Sequence, residues 1–193
     1  MSIERFSLNY LKKLTCLLDV VDVSVFSKMM SLLEETALQR SRIYLLGNGG
    51  SAATAAHMAN DLGGGLNRRN IRYFNIVNLS DNAAVCTALA NDVGYENVFY
   101  FQLKEVLNPN DILIAFSCSG NSPNIIKAVE YAKAKAAKVI GITGFDGGQL
   151  AKLSDINFHI ETSKGEYGLV EDIHMILNHI IYSYYVHEFG ESV

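Results

Sequence analysis

Five short apolar segments, separated by stretches with helical spacing, constrain the fold of this chain more than any other feature. The segments lie at residues 43–46, 73–79, 112–117, 139–143 and 156–160. Several are continuously apolar, as expected for strands buried on both faces. The helical stretches lie at about 51–63, 81–90, 122–137, 147–153 and 168–188. This alternation predicts an α/β fold, a doubly wound sheet of about five parallel strands with helices on both faces.

The first 40 residues precede the first strand and carry apolar residues at helical spacing, with no proline or glycine. They predict two helices with a break near residues 20–24. The pair offers more apolar surface than one stripe against a sheet needs. Two interpretations are open, an interface with another subunit and an ordinary intramolecular helix pair. The length of 193 residues fits a single domain, 1–193, with 1–40 as a helical extension.

Charge and cysteine content exclude several classes of partner. The net charge is −4 and no run of Lys or Arg is present, so neither nucleic acid nor an anionic membrane is expected as a partner. The cysteines, Cys16, Cys86 and Cys118, are odd in number and widely spaced, which favours reduced thiols. No leader pattern and no apolar run of membrane-spanning length is found. We therefore expect a cytoplasmic protein.

The turn after the first strand, Gly47-Asn48-Gly49-Gly50-Ser51, is rich in glycine and leads into a predicted helix. Backbone amides at such a helix start form an anion site, although many glycine-rich turns bind nothing. The spacing fits neither the dinucleotide fingerprint nor the nucleotide phosphate loop. His57 and Asp61 follow at i and i+4, so one helix face offers two metal ligands or an acid/base pair.

A second polar turn, Ser117 to Asn124, follows the third strand and also leads into a helix, with Pro123 suited to its first turn. A capping turn would account for one of its hydroxyl groups and leave the others unexplained. Because parallel strands end at the same sheet edge, two such turns together favour a phosphate site built from hydroxyls, amides and helix dipoles.

The last predicted helix carries a polar strip, Glu171, His174, Asn178 and His179, among apolar residues. Polar groups on an apolar helix are costly unless they are paired. These side chains either form part of a functional site or are polar groups whose hydrogen bonds are made within the core or an interface.

These motifs together resemble those of the sugar isomerase (SIS) domain family and, within it, the phosphoheptose isomerases. The resemblance covers nearly the whole chain, including the two leading helices. The matching pieces are the turn 47–51, His57 with an acid four residues on, Ala90-Asn91-Asp92, the segment 117–124, Thr143-Gly144 with Gly147-Gly148, Glu171-Asp172-Ile173-His174, and His179.

The resemblance implies a SIS-type sheet and a set of substrate-binding residues. It assigns the phosphate to the serine turn, at Ser117, Cys118, Ser119 and Ser122. It assigns the sugar to the glycine turn and to an Asn-Asp pair, at Asn48, Gly49, Gly50, Ser51, Asn91 and Asp92.

The resemblance also implies a metal site at His57, Asp61, Glu171 and His179, usually holding Zn²⁺, with Mn²⁺ or Fe²⁺ as alternatives. Asp61 stands where the family has Glu, and Glu171 stands where it has Gln. The base that takes the proton beside the carbonyl is therefore either Asp61 or Glu171, and reach decides between them. His179 is expected to move protons between oxygens.

The activity implied is isomerisation of sedoheptulose 7-phosphate to D-glycero-D-manno-heptose 7-phosphate through an enediol, in a homotetramer whose sites lie at subunit interfaces. Leu169 stands where the phosphoheptose isomerases commonly have an Arg. The identity of the sugar is therefore less defined than the type of reaction. Two alternatives remain, a non-catalytic SIS regulator like the replication-initiation tetramer, and a SIS isomerase for arabinose 5-phosphate or hexulose 6-phosphate.

Overall fold

The structure is a computed structural model that describes residues 1–190; residues 191–193 of the expected domain lie outside the described part. The strands are β1 (Arg42–Leu46), β2 (Asn75–Asn78), β3 (Ile112–Ser117), β4 (Lys138–Phe145) and β5 (Ile156–Glu161). The α-helices are α1 (Ile3–Asp19), α2 (Ser24–Leu38), α3 (Gly50–Met58), α4 (Leu66–Arg68), α5 (Ala83–Val93), α6 (Val98–Leu103), α7 (Pro123–Ala134), α8 (Gly148–Leu153) and α9 (Tyr167–Phe189). A π-helix, Ala59–Gly65, joins α3 to α4, and a 3-10 helix, Tyr95–Asn97, precedes α6.

The five strands form one parallel sheet in the order β2-β1-β3-β4-β5, which confirms the predicted α/β class and the two N-terminal helices. The chain moves outward from β1 to β2 and then returns to β3 on the other side of β1. Ligands of open parallel sheets bind where the strand order reverses, beyond the carboxyl ends of the strands. The turns after β1 and β3 therefore border one crevice.

Alternate residues of β1 belong to two hydrophobic layers, as the period of a strand requires. Ile43 and Leu45 are fully buried on the face that is covered by α2, α3 and α9. Tyr44 and Leu46 are buried on the opposite face, which is covered by α6, α7 and α8. The sheet is thus enclosed on both sides, and its carboxyl edge is the place where polar turns collect.

Three local predictions need correction. The strand predicted at 73–79 is shorter, the helix predicted at 81–90 begins and ends later, and the helix predicted at 51–63 changes to π-geometry after Met58. The 3-10 helix and α6 were not predicted, because the aromatic and β-branched residues of 95–103 give no clear helical spacing.

Helix α1 makes its apolar contacts with the core through its carboxyl-terminal half, and Tyr10 in its middle also donates a 2.6 Å hydrogen bond to Asp172 Oδ2. Leu14, Leu17 and Leu18 lie against the core, whereas Phe6 and Leu11 are more than half exposed. Within residues 1–190, no helix has the length and apolar character needed to cross a membrane.

Leu45→Ala tests how strongly the sheet core contributes to stability. Leu45 is 0% exposed in the central strand β1, so its truncation leaves a cavity between the sheet and the helices. We expect the free energy of unfolding, measured by urea denaturation, to fall by about 2–5 kcal/mol. Leu38→Ala is the control, because Leu38 is 79% exposed at the end of α2. Equal losses for the two variants would contradict this description of the core.

Candidate active site

The glycine turn depends on the missing side chains of two of its residues. Gly49 has φ +54°, a left-handed conformation, and a Cβ on Gly47 would lie 2.5 Å from the carbonyl oxygen of Ser51. The chain can therefore pass from β1 directly into α3 only with glycine at these positions. As a result, the amino-terminal end of α3 lies at the carboxyl edge of the sheet.

The serine turn has a similar construction at the end of β3. Gly120 has φ +61°, and the backbone amide of Gly120 donates a 3.1 Å hydrogen bond to the Oγ of Ser117. Ser122 is the N-cap residue of α7, and Pro123 is its first residue. A second amino-terminal helix end therefore lies at the same edge.

A pair of asparagines, Asn48 and Asn124, ties the two turns together. Each Nδ2 donates to the Oδ1 of the other at 2.9 Å, and the hydroxyl of Tyr95 donates to Asn48 Oδ1 at 2.8 Å. Asn124 is 1% exposed. The resemblance assigns Asn48 to the sugar, and in the structure its amide also fixes the distance between the turns. Asn124, which pairs with Asn48, lies at the end of the serine turn and had no predicted role.

The two turns enclose a cavity of about 150 Å³. Six of the predicted substrate-binding residues line it, namely Asn48, Ser51, Ser117, Cys118, Ser119 and Ser122. Tyr167 and Glu171, from the first turns of α9, also line it, and no sequence pattern had indicated Tyr167. Hydroxyl groups between two helix starts can hold a phosphate monoester without a basic residue.

Asn91 and Asp92 are not on the wall of this cavity. Both are exposed near the end of α5, where Asn91 Nδ2 donates to Asp92 Oδ1 at 2.9 Å. Their connection to the site within the chain is indirect, since Tyr95 follows them and contacts Asn48. Gly49 belongs to the turn itself.

Glu171 lies beside the start of α3. Its carboxylate occupies the space that a Cβ on Gly50 would need, and Oε1 is 3.9 Å from the Sγ of Cys118. Burial, together with the charge of Asp172, raises the pKa of Glu171. Burial also raises the pKa of Cys118 to about 11, so this thiol stays protonated at neutral pH and is not a nucleophile.

Three of the four expected metal ligands, His57, Asp61 and His179, come together two helical turns further along. His57 Nε2 lies 3.2 Å from Asp61 Oδ2 and 3.1 Å from His179 Nε2. Each residue offers one ligand atom, and these atoms all lie within 4.8 Å of one another. The side chain of His57 is 42% exposed and that of Asp61 is 13% exposed. This group, called the His57 cluster below, is open to solvent on the imidazole side.

The change from α-helix to π-helix occurs between the first two members of the cluster. His57 belongs to the last turn of α3, and Asp61 is the third residue of the π-helix. π-Helical turns are rare and concentrate at functional sites. The predicted i, i+4 pairing of His57 and Asp61 is nevertheless present in the structure.

Two imidazoles and one carboxylate fit a catalytic zinc site, in which three protein ligands leave the fourth position for a substrate or water. Glu171 is not a member of this group. It precedes His179 by eight residues on α9, a rise of about 12 Å. The structure therefore separates the four expected ligands into a cluster of three and a carboxylate at the cavity.

The polar strip of α9 also divides, into residues of the candidate site and residues of the core. His174 is fully buried, its Nε2 lies 3.2 Å from the carbonyl oxygen of Thr143, and burial lowers its pKa to about 4. It is a neutral residue of the core, as one of the two interpretations of the strip predicted. Leu169 is also buried, at 4% exposure, and does not line the cavity.

The comparisons with known proteins agree with this architecture. A family model for the SIS domain matches residues 9–144. The phosphoheptose isomerase of Helicobacter pylori (strain P12) is 36% identical over 159 residues, which cover 81% of this chain and 80% of that protein. The phosphoheptose isomerase of Aliarcobacter butzleri (strain RM4018) is 36% identical over 154 residues and covers 80% of each.

A solved structure supports the same assignment. The phosphoheptose isomerase from Neisseria gonorrhoeae matches with a TM-score of 0.82 and 26% identity, over 95% of this chain and 96% of that one. Fold and site together define a parallel α/β domain with a serine-lined cavity and a candidate metal centre. The chain belongs to the phosphoheptose isomerase family of SIS domain proteins.

Two glycine substitutions test the geometry of the turns. Gly120→Ala places a Cβ at φ +61° and against the backbone carbonyl of Gly147, so we expect the free energy of unfolding to fall by at least about 1 kcal/mol. Gly50→Ala displaces only the flexible end of Glu171, and we expect a change within about 1 kcal/mol. Urea denaturation of both variants is the measurement. If Gly120→Ala were as stable as the parent protein, the described turn would be wrong.

Proposed function

We propose that this protein is an aldose-ketose isomerase that interconverts sedoheptulose 7-phosphate and D-glycero-D-manno-heptose 7-phosphate. The observation that carries the proposal is the alignment of a serine-lined cavity and the His57 cluster along the same two helices, α3 and α9. A sugar phosphate has two chemically different ends, a phosphate and a carbonyl group, and this arrangement offers a different site to each. The names of the similar proteins support the same substrate.

The phosphate belongs in the serine-lined cavity. Ser119 and Ser122 are partly exposed there, and the helix starts of α3 and α7 supply partial positive charge. Ser117 is 4% exposed and its Oγ already accepts from Gly120, so its role is to shape the turn. A site without a basic side chain suits a monoester that must also be released.

The metal ion belongs at the His57 cluster, where His57, Asp61 and His179 would hold it. Zn²⁺ is our choice, because two imidazoles and one carboxylate are typical ligands of catalytic zinc. When bound, the ion supplies Lewis-acid polarisation of the substrate oxygens.

We propose Glu171 as the base. Both oxygens of Asp61 are engaged, because Asn178 and His57 contact Oδ2 and Asn60 donates to Oδ1 at 3.2 Å. Glu171 lines the cavity, and within residues 1–190 its carboxylate has one hydrogen-bond partner, Cys118 Sγ at 3.9 Å; its raised pKa suits proton exchange closer to neutral pH.

In the proposed reaction the carbon beside the carbonyl group lies between the serine-lined cavity and the His57 cluster, and Glu171, on the wall of the cavity, takes its proton. The electrons of that C–H bond form the C=C bond of the enediol, and the carbonyl oxygen gains a proton. Glu171 then returns its proton to the neighbouring carbon while the other hydroxyl group loses one, so no oxidant or reductant is consumed. We assign the movement of protons between oxygens to His179, whose ring is exposed at the cluster.

We further propose that the protein is a cytoplasmic homotetramer whose sites are completed by neighbouring subunits. The exposed apolar residues of α1, the absence of buried residues in α5 and the exposure of His57 support interfaces with neighbouring subunits. All three cysteines are free, which suits a reducing compartment.

A non-catalytic regulator is the weaker alternative. A protein that only binds sugar phosphate needs the serine-lined cavity and has no use for two imidazoles and a carboxylate gathered within 4.8 Å. The enzyme interpretation accounts for both parts of the structure.

His179→Ala tests the cluster. We expect the zinc-loaded parent protein to convert sedoheptulose 7-phosphate faster than five- or six-carbon sugar phosphates. The variant loses one of three ligands, so bound zinc should disappear and kcat/KM should fall by at least about 100-fold. Its native mass by light scattering should stay that of a tetramer.

His187→Ala is the matched control, because His187 lies exposed two turns further along α9 and outside the cluster. Unchanged turnover by a metal-stripped His179→Ala protein would refute the proposed role of the cluster.

Glu171→Gln separates the base from the metal ligands. The amide keeps the size of the side chain but cannot accept a proton. The family has Gln at this position and a longer Glu in place of Asp61, so we expect isomerisation to fall about 100-fold or more only because the shorter Asp61 does not act as the base here. Bound zinc, measured on the same sample, should stay at the level of the parent protein, since Glu171 lies apart from the cluster. An active Glu171→Gln variant would return the role of base to Asp61.

A further inference from the structure

Asn178 is the buried neighbour of a proposed metal ligand, and the function proposed above gives it no role. It lies on α9 directly before His179 and is 0% exposed. Its Nδ2 donates a 2.9 Å hydrogen bond to the Oδ2 of Asp61. The same oxygen lies 3.2 Å from His57 Nε2. One turn of α9 therefore supplies one member of the His57 cluster and holds another.

Stability alone does not account for an amide at this position. Asn178 lies among the buried residues Ile173, Leu177 and Ile181 of α9, so its neighbours along the helix are apolar. Its Oδ1 is buried and has no hydrogen-bond partner within residues 1–190. A buried polar group that is only half paired lowers stability. Such a violation of the core pattern marks a functional position.

The charge of Asp61 determines which way the amide faces. The carboxylate can only accept hydrogen bonds, so Nδ2 must face it, and a reversed amide would place Oδ1 against a negative charge.

On the preceding turn, His174 faces the carbonyl oxygen of Thr143 through Nε2, so its proton is on Nε2. The Nδ1 of His174 is therefore a second buried acceptor without a partner in the described chain.

Asp61 needs a buried hydrogen-bond donor because it belongs to a different helical element from His179. It belongs to the π-helix, whereas His179 belongs to α9, and the hydrogen bond from Asn178 joins these two elements. Among the described residues, the donor to the other carboxylate oxygen is the exposed Asn60, at 3.2 Å, and water can replace an exposed donor. The buried donor is the one that solvent cannot replace.

We propose that Asn178 is a positioning residue that holds the Asp61 carboxylate in the orientation required to bind a divalent metal ion with His57 and His179. This inference rests on the proposed function, because it assumes that the His57 cluster is the metal site. Residues that orient metal ligands typically contribute 10–100-fold to metal affinity.

The test is the affinity of the purified protein for Zn²⁺, measured by competition with a chromophoric chelator. We expect Asn178→Leu, which has a similar size and no amide, to bind Zn²⁺ about 10–100-fold more weakly. The loss should disappear in an Asp61→Ala background, so that Asp61→Ala and Asp61→Ala/Asn178→Leu bind equally.

Two matched controls separate positioning from general damage. His174→Leu removes another fully buried polar side chain from the same helix face, but it does not contact Asp61. Asn60→Ala removes the exposed amide that contacts the same carboxylate. Both should keep their Zn²⁺ affinity within about threefold of the parent, well inside the effect of an orienting residue.

The outcomes distinguish the proposed metal site from the proposed role of Asn178. A parent protein that binds no Zn²⁺ would refute the proposed metal site itself. A parent protein that binds Zn²⁺, together with an Asn178→Leu variant that binds it equally well, would refute the role of Asn178 and leave the metal site standing. An equal loss in the Asp61→Ala background would also refute it, because Asn178 would then act by another route.

Discussion

The pairing of α3 with α9 is the constraint on which the rest of the site depends. Near one end, the carboxylate of Glu171 fills the space above Gly50, and near the other end His179 meets His57. Seven residues of α3 and eight residues of α9 separate these contacts, so the two helices run side by side in the same direction. Neither helix can rotate without moving its polar groups, because the opposite faces of both are packed into the core beneath the sheet.

This pairing begins at the point where the order of strands reverses. The glycine turn delivers α3 from β1, the serine turn delivers α7 from β3, and the Asn48–Asn124 pair holds the two turns together. The proposed anion-binding end of the site is therefore built from the sheet edge, and the proposed metal-binding end is built from helix side chains. The proposed isomerisation needs both ends, since it holds the phosphate at the serine turn and requires the carbonyl region of the substrate to lie between Glu171 and the metal ion.

The sequence predicted the sheet and both turns because their signals are local. Continuous apolar segments such as Ile112–Phe116 indicate buried parallel strands, and glycine and serine clusters mark turns at helix starts. The position of Glu171 was not predictable in this way. Eight residues of helical spacing placed it on the same face as His179, but only the packing of α9 on α3 shows that its carboxylate lies at the cavity.

The π-helix and the role of Asn178 had no sequence signal either. A single extra residue per turn is invisible to a periodicity of 3.6, and a buried amide appears as one more polar residue of a strip. The most direct test of the central claim is a crystal structure of the zinc-loaded protein with sedoheptulose 7-phosphate bound. Our account predicts the phosphate between Ser119 and Ser122 and the zinc ion between His57, Asp61 and His179. A phosphate bound away from the serine turn, or a metal ion bound away from these three side chains, would contradict it.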